Sequence, residues 1–210
     1  STEITVAQWA IDDGEPMVID CTGRRRSTML NALLEDPSVT VVAHNSFFDR
    51  TILRHCWGID VPIERWHDTM VKAYCHSLPG ALEKLGEVLN IAEDKRKITE
   101  GKKLVRLFCM PQNEDFVKKH GTDRATKQTH PDKWMEFIKY AGGDITTMRE
   151  VRRLIPSWNY KGKQVELWHT DLTINNRGFA VDLELAQAAV EMAALVQERL
   201  GKEVHDATDG

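Results

Sequence analysis

Two hydrophobic rhythms run along this chain, a short β-like one early and a helical one later. Residues 4–11, rich in Ile, Val and Trp, read as a strand, and residues 17–20 read as a second. Asp12-Asp13-Gly14-Glu15 between them is a hairpin signal, because Asp-Gly accepts the positive φ angles that such turns need. Ser27 is placed to cap a helix with Met29, Leu30, Leu33 and Leu34 on one side, which Asp36-Pro37 ends. Residues 39–43 are a β-branched apolar run that fits a buried strand. The polar loop His44-Asn45-Ser46 follows. A helix then carries Phe47, Phe48, Ile52, Leu53 and Cys56 as its apolar positions, with Asp49 in its first turn and Gly58 as its stop. A short extended piece near Trp66 leads through Asp68-Thr69 into a helix over 70–76.

After the Pro79-Gly80 break, Leu82, Leu85, Val88 and Leu89 mark an amphipathic helix. Residues 92–131 are polar, Lys-rich and weakly periodic, with one helix expected near 102–108; a segment of this kind is usually functional or mobile. Pro131 suits the first turn of the next helix, where Trp134, Phe137, Ile138, Ala141, Ile145, Met148, Val151 and Leu154 recur at helical spacing until Pro156. Residues 166–175 read as helix, closed by Asn176-Arg177-Gly178, and 183–204 as a long Ala-rich one. The pattern predicts an α/β domain over 1–157 and a helical module over 158–210.

Composition narrows the class. With 210 residues, 41% hydrophobic and 29% charged, the chain is of ordinary globular make-up. Its apolar runs are too short to span a membrane, and its start lacks the basic-then-apolar pattern of a signal peptide. Cys21, Cys56, Cys75 and Cys109 form no C-x-x-C pair and read as reduced thiols of a cytosolic protein. The net charge of −4 is unevenly spread: residues 92–133 hold 11 Lys/Arg against 7 Asp/Glu. A basic segment on an acidic body fits a nucleic-acid contact; a solvated charged loop fits it equally well.

Two carboxylates carry the candidate chemistry. Asp49 follows a polar loop at the end of a buried strand, where α/β sheets favour functional groups. Asp144 stands four residues after Tyr140, so the two share a helix face, with Gly142 and Gly143 between them to permit close approach of a backbone or substrate. Carboxylates that hold two divalent ions about 3.5–4 Å apart can drive phosphodiester hydrolysis, and hard oxygen ligands suit Mg²⁺ or Mn²⁺. Spacing alone does not assign this role. An Asp in a first helical turn is ordinarily a dipole-favoured surface residue, and a Tyr–Asp pair at this spacing occurs on many helices.

The wider motif context adds to that reading. Val42-Ala43-His44-Asn45-Ser46-Phe47-Phe48-Asp49 resembles the second motif of the DnaQ-like, DEDD-type exonucleases, and Tyr140-Ala141-Gly142-Gly143-Asp144 resembles the third in its tyrosine form. His67-Asp68-Thr69-Met70 and Leu78-Pro79-Gly80-Ala81-Leu82-Glu83-Lys84-Leu85 are similar to intervening segments of phage-type family A DNA polymerases, the latter packing beside the site. Asn176-Arg177-Gly178 and Val181-Asp182 resemble the entry to the polymerase domain. The resemblance implies a ribonuclease H-like fold with a mixed sheet, followed by the helical start of a polymerase domain. It implies a proofreading 3′→5′ exonuclease in the cytoplasm of a bacterium or phage-infected host cell. Its partners would be DNA, at a single-stranded 3′ end or primer-template, and the remainder of the polymerase chain. Asp49 and Asp144 would be metal-holding carboxylates and Tyr140 would orient the attacking water. Asn45, Phe48 and, less directly, His44 would line the path of the 3′ end. Asp68 is favoured as structural. The basic stretch with Lys102 and Lys103 is the candidate for backbone contact.

The family's first motif, Asp-x-Glu on a strand, would lie ahead of Ser1. Asp13-Gly14-Glu15 matches it literally but sits in the hairpin turn. The expectation is therefore an incomplete two-metal site. A nuclease-fold scaffold that binds 3′ ends without cutting them is the alternative, and a stand-alone RNA nuclease is a third reading against which the polymerase-like tail speaks.

Overall fold

The computed structural model describes residues 3–91 and 101–208. Lys95, in the basic stretch, lies outside them. Strands β1 (Val6–Trp9) and β2 (Met17–Asp20) pair antiparallel, with Val6 opposite Asp20 and Trp9 opposite Met17. Asp12 rather than Gly14 takes the positive φ of this hairpin (45°), and Gly14 N–H closes the turn on the Ile11 carbonyl at 2.8 Å. Asp tolerates the left-handed region better than most residues, so the turn forms as expected with the strain moved by two positions. Helix α1 (Thr28–Glu35) is capped by Ser27, whose hydroxyl accepts from Leu30 N–H at 3.1 Å. Strand β3 (Val41–Ala43) leads into helix α2 (Ser46–Ile52), which continues as a π-helical turn over Leu53–Trp57 until Gly58 ends it at φ 69°. Strand β4 (Trp66–Asp68) pairs parallel with β3 and runs directly into helix α3 (Thr69–Tyr74).

The expected mixed sheet is thus two separate two-stranded ladders among the described residues, one antiparallel and one parallel. Helices outnumber strands from there on: α4 (Leu82–Val88), α5 (Gly101–Cys109), α6 (Glu114–His120) and α7 (Pro131–Leu154). α6 interrupts the stretch expected to be mostly irregular. Its ends are fully specified: the Asn113 side chain accepts from Phe116 N–H, Glu114 and Asp115 occupy the first turn, Lys118 to His120 the last, and Gly121 takes φ 69°. α8 (Lys163–Arg177) and α9 (Leu183–Thr208) follow. No helix among the described residues is long and apolar enough to cross a membrane, and the four cysteines are free thiols.

Among the described residues three hydrophobic clusters hold the first unit together, and α7 belongs to two of them. Its N-terminal half packs Trp134, Phe137 and Tyr140 against Leu104 and Phe108 of α5, with the Phe108 ring stacked on Phe137 at 5.2 Å. Its C-terminal half sets Val151, with Ile155 just beyond, against Ala73, Leu82 and Leu85 of α3 and α4. The hairpin lies on α7 between these clusters. Arg149 donates to the carbonyls of Asp12 (3.1 Å) and Gly14 (2.6 Å), and Arg153 pairs with Asp13. Asp13 is therefore spent on anchoring the turn, as the hairpin assignment of Asp13-Gly14-Glu15 requires. The third cluster lies under β3 and β4, where Trp66 is joined by Tyr160, Trp168 and Leu172.

The first compact unit consequently runs to Leu172, and residues 173–210 form a second. Residues 158–172, expected to open the helical module, complete the core of the first unit. The Tyr160 hydroxyl accepts the buried N–H of Asp68 at 2.8 Å. Tyr160→Phe removes that acceptor and strands a buried donor, which should cost about 1–3 kcal/mol in urea-induced unfolding. A midpoint equal to that of the wild type would exclude this bond as a link between the tail and the β3–β4 core.

Candidate active site

The loop after β3 turns because Asn45 adopts the left-handed conformation (φ 65°, ψ 55°), which Asn reaches more readily than other non-glycine residues. That conformation aims two successive N–H groups the same way, forming an anion-binding concavity. Asp68 fills it. Its carboxylate accepts from Asn45 N–H (3.1 Å), Ser46 N–H (2.7 Å) and the Ser46 hydroxyl (2.8 Å). It also caps α3 by accepting from Met70 N–H at 2.8 Å and Val71 N–H at 3.4 Å. Asp68 is only 3% exposed, so its structural role follows from its donors. The Asn45 side chain makes no capping bond of its own and is exposed.

One turn into α2, Asp49 is partly buried beside this group. Its carboxyl is pushed up to about 7, first by burial and then by the negative charge of Asp68. Phe48, next to it, is 62% exposed, and Phe47 is exposed as well. His44 braces the loop: Nε2 donates to the Gly80 carbonyl at 2.7 Å, and Nδ1 lies 2.9 Å from the Thr69 hydroxyl. Through Gly80 the Asp49 loop is tied to the segment that enters α4, and α4 packs on α7.

On α7, Tyr140 and Asp144 meet as their spacing predicts. The Tyr140 phenol is pushed well above its usual range by burial, by the charge of and a hydrogen bond to Asp144, and by the charge of Glu83 from α4. The structure thus groups the expected residues in two sets, Asp49 with its loop and Tyr140 with Asp144. No protein backbone approaches Gly142 or Gly143 closely. A Cβ at Gly142 would make ordinary contact with Val18 at 3.7 Å and Pro16 at 3.9 Å, and one at Gly143 would meet nothing within 4 Å. The close approach occurs at Gly101 instead, where a Cβ would intrude on the Tyr140 ring. Gly101 is a site neighbour that the sequence did not single out, while Glu83 belongs to the segment expected beside the site. Lys102 pairs with Glu83 at 3.0 Å, while Lys103, Arg106 and Gln112 line a shallow cleft beside it.

The donors do not amount to a two-metal centre. Asp68 is consumed by N–H and O–H groups, and among the described residues no three His, Cys, Asp or Glu side chains are grouped to hold an ion. Two carboxylates fall short of the six or so oxygens that Mg²⁺ requires without further ligands.

Because the folded pKa of Asp49 lies above its unfolded value, its stabilising contribution is complete below about pH 4 and is lost as pH rises to 7. Asp49→Asn escapes that loss. It should be neutral near pH 4 and stabilising by on the order of 1–3 kcal/mol at pH 8, as denaturant unfolding at the two pH values would measure. A pH-independent difference would mean that the carboxyl is not held in its acid form by its surroundings.

Residues 2–155 match the family described as 3′-5′ exonuclease. The chain is also 28% identical over 190 residues to a protein named DNA polymerase from Bacillus phage SP02, an alignment that takes in 90% of this chain and 29% of that protein. The chain thus spans less than a third of that relative's length. No solved structure matches.

Proposed function

The chain belongs to the 3′-5′ exonuclease family, and from that premise we propose that it is the proofreading part of a phage-type family A DNA polymerase, trimming the 3′ end of DNA. The observation that carries the proposal is the family match over 2–155, which takes in Asp49, Tyr140 and Asp144, with the last two hydrogen-bonded to one another. A ribonuclease H-like architecture is the fold this membership favours, with residues 158–210 leading toward the polymerase domain. Asp49 and Asp144 are the oxygen donors this stretch would offer to a Mg²⁺ or Mn²⁺ centre, and the remaining ligands must come from outside the described residues. A bound divalent ion of that kind supplies an activated water and stabilises charge on the leaving oxygen. The chain's own groups do the positioning. Asn45 presents an uncommitted amide, Phe48 an open ring on which a terminal base can stack, and Tyr140 a hydroxyl held at Asp144.

Digestion of 5′-labelled single-stranded DNA with Mn²⁺ tests the reading. A form extended upstream through an Asp-x-Glu motif should shorten the strand stepwise from its 3′ end. Asp49→Ala or Asp144→Ala should each reduce that rate by at least about a hundredfold, the scale of losing a transition-state electrostatic contact. The incomplete donor set favours one rival reading, a scaffold that binds 3′ ends without cutting them. Binding by the extended form with no shortening would establish that rival.

Lys102 and Lys103 are the proposed phosphate contacts. The Lys102 ammonium has three donors, so it can meet a phosphate while keeping its pair with Glu83. Reversing both charges should weaken single-strand binding and flatten the slope of log affinity against log salt by about 1.4, the value for two contacts on a single strand. An unchanged slope, read by fluorescence anisotropy, removes these lysines from the path.

A further inference from the structure

Tyr140 is only 4% exposed, yet a hydroxyl that orients water at a strand end has to be aimed at a definite point. The backbone of Gly101, the first residue of α5, lies directly on its ring. A Cβ there would fall on Cε2, Cδ2 and Cζ. The ring has no room to yield, because Phe137 and Phe108 share its cluster and are themselves buried. The contrast with Gly80 is instructive. There a Cβ would meet the hydroxyl end of Tyr74, a side chain 57% exposed and free to swing aside. The residue after Gly101 secures the same turn from the other side, as Lys102 Nζ pairs at 3.0 Å with Glu83 in the first turn of α4. α5 is further fixed by Leu104 and Phe108 in the cluster that contains Tyr140.

We infer that Gly101 and Glu83 are positioning residues for Tyr140. Gly101 lets the first turn of α5 close over the ring, and Glu83 holds that turn down through Lys102, so that the hydroxyl is directed at Asp144. The inference rests on the proposed role of Tyr140 for its functional meaning, but the placement itself is measurable without nuclease activity.

Hydroxyl-radical footprinting with mass spectrometry reads the chain's three tyrosines separately. In the wild type, Tyr74 (57% exposed) should be modified and Tyr140 and Tyr160 (6% exposed) protected. Gly101→Ala should raise Tyr140 modification roughly tenfold, the scale of an overpacked buried contact, with Tyr160 still protected. Glu83→Gln, a change outside the core, should raise it by about two- to fivefold, the scale of one exposed ion pair. Unchanged protection of Tyr140 in both variants overturns the inference. Should Gly101→Ala expose Tyr160 as well, the chain has unfolded and Glu83→Gln decides: Tyr140 rising alone upholds the inference, and Tyr140 unchanged refutes it. In the extended, nuclease-competent form, Gly101→Ala should lower kcat per active site, with sites counted by stoichiometric single-strand binding, and leave KM unchanged; a merely destabilised fold loses sites but keeps kcat per site. If Tyr140 is released and strand shortening continues at the wild-type rate, the positioning stands and the proposed role of Tyr140 falls.

Discussion

Asp68 carries a carboxylate to a place where water scarcely reaches it, and four N–H groups and one hydroxyl converge on its two oxygens. Burying such a charge costs several kcal/mol, and only charge-assisted bonds from well-placed donors offset that cost. The donors come from two separate helix starts. Those of α2 converge because Asn45 is left-handed, and those of α3 because Asp68 is itself the N-cap. One side chain therefore joins the ends of β3 and β4 to both helices that leave them. Asp49, one turn into α2, inherits the consequence: burial first, and then the negative charge of Asp68 beside it, raise its affinity for a proton. Any cation brought to Asp49 would displace that proton and relieve the repulsion together.

Signals confined to a few consecutive residues were legible in the sequence. Ser27, Gly58 and Pro131 sit at the helix ends they predict, since a cap or a stop is decided by its own hydrogen bonds and φ angle. α6 carries equally explicit end signals from Asn113 to Gly121, but its two apolar residues, Phe116 and Val117, make too little of a stripe for a reading led by hydrophobic periodicity. What depended on distant partners was illegible. Nothing near Tyr160, Trp168 or Leu172 announces that they finish the core around Trp66.

The same division runs through the site. Asp49, Tyr140 and Asp144 were proposed from spacing and motif, and the structure sets Tyr140 against Asp144; Asp68 was favoured as structural, and its donors agree. Glycine was the residue whose neighbour was hardest to read. Gly142 and Gly143 lie between the two candidate side chains and invite a close-approach argument, yet space is open at Gly143 and ordinary at Gly142. The approach that excludes a side chain is at Gly101, in the segment of weakest pattern. A glycine shows that something comes near; it does not show what, and its reason can be a ring on another helix.

The two halves of the candidate site are held by forces of different strength. On the Asp49 side, three bonds from Asn45 and Ser46 to the buried Asp68 carboxylate leave the loop no alternative without orphaning a charge. On the Tyr140 side, the ring is buried in the cluster of Phe108 and Phe137, but the turn that lies on it is held to α4 by an exposed ion pair that salt weakens. Conformational change, where it occurs, follows the weaker attachment. The first turn of α5 is therefore the less firmly held part of the candidate site, and the His44–Asp49 loop the more firmly held one.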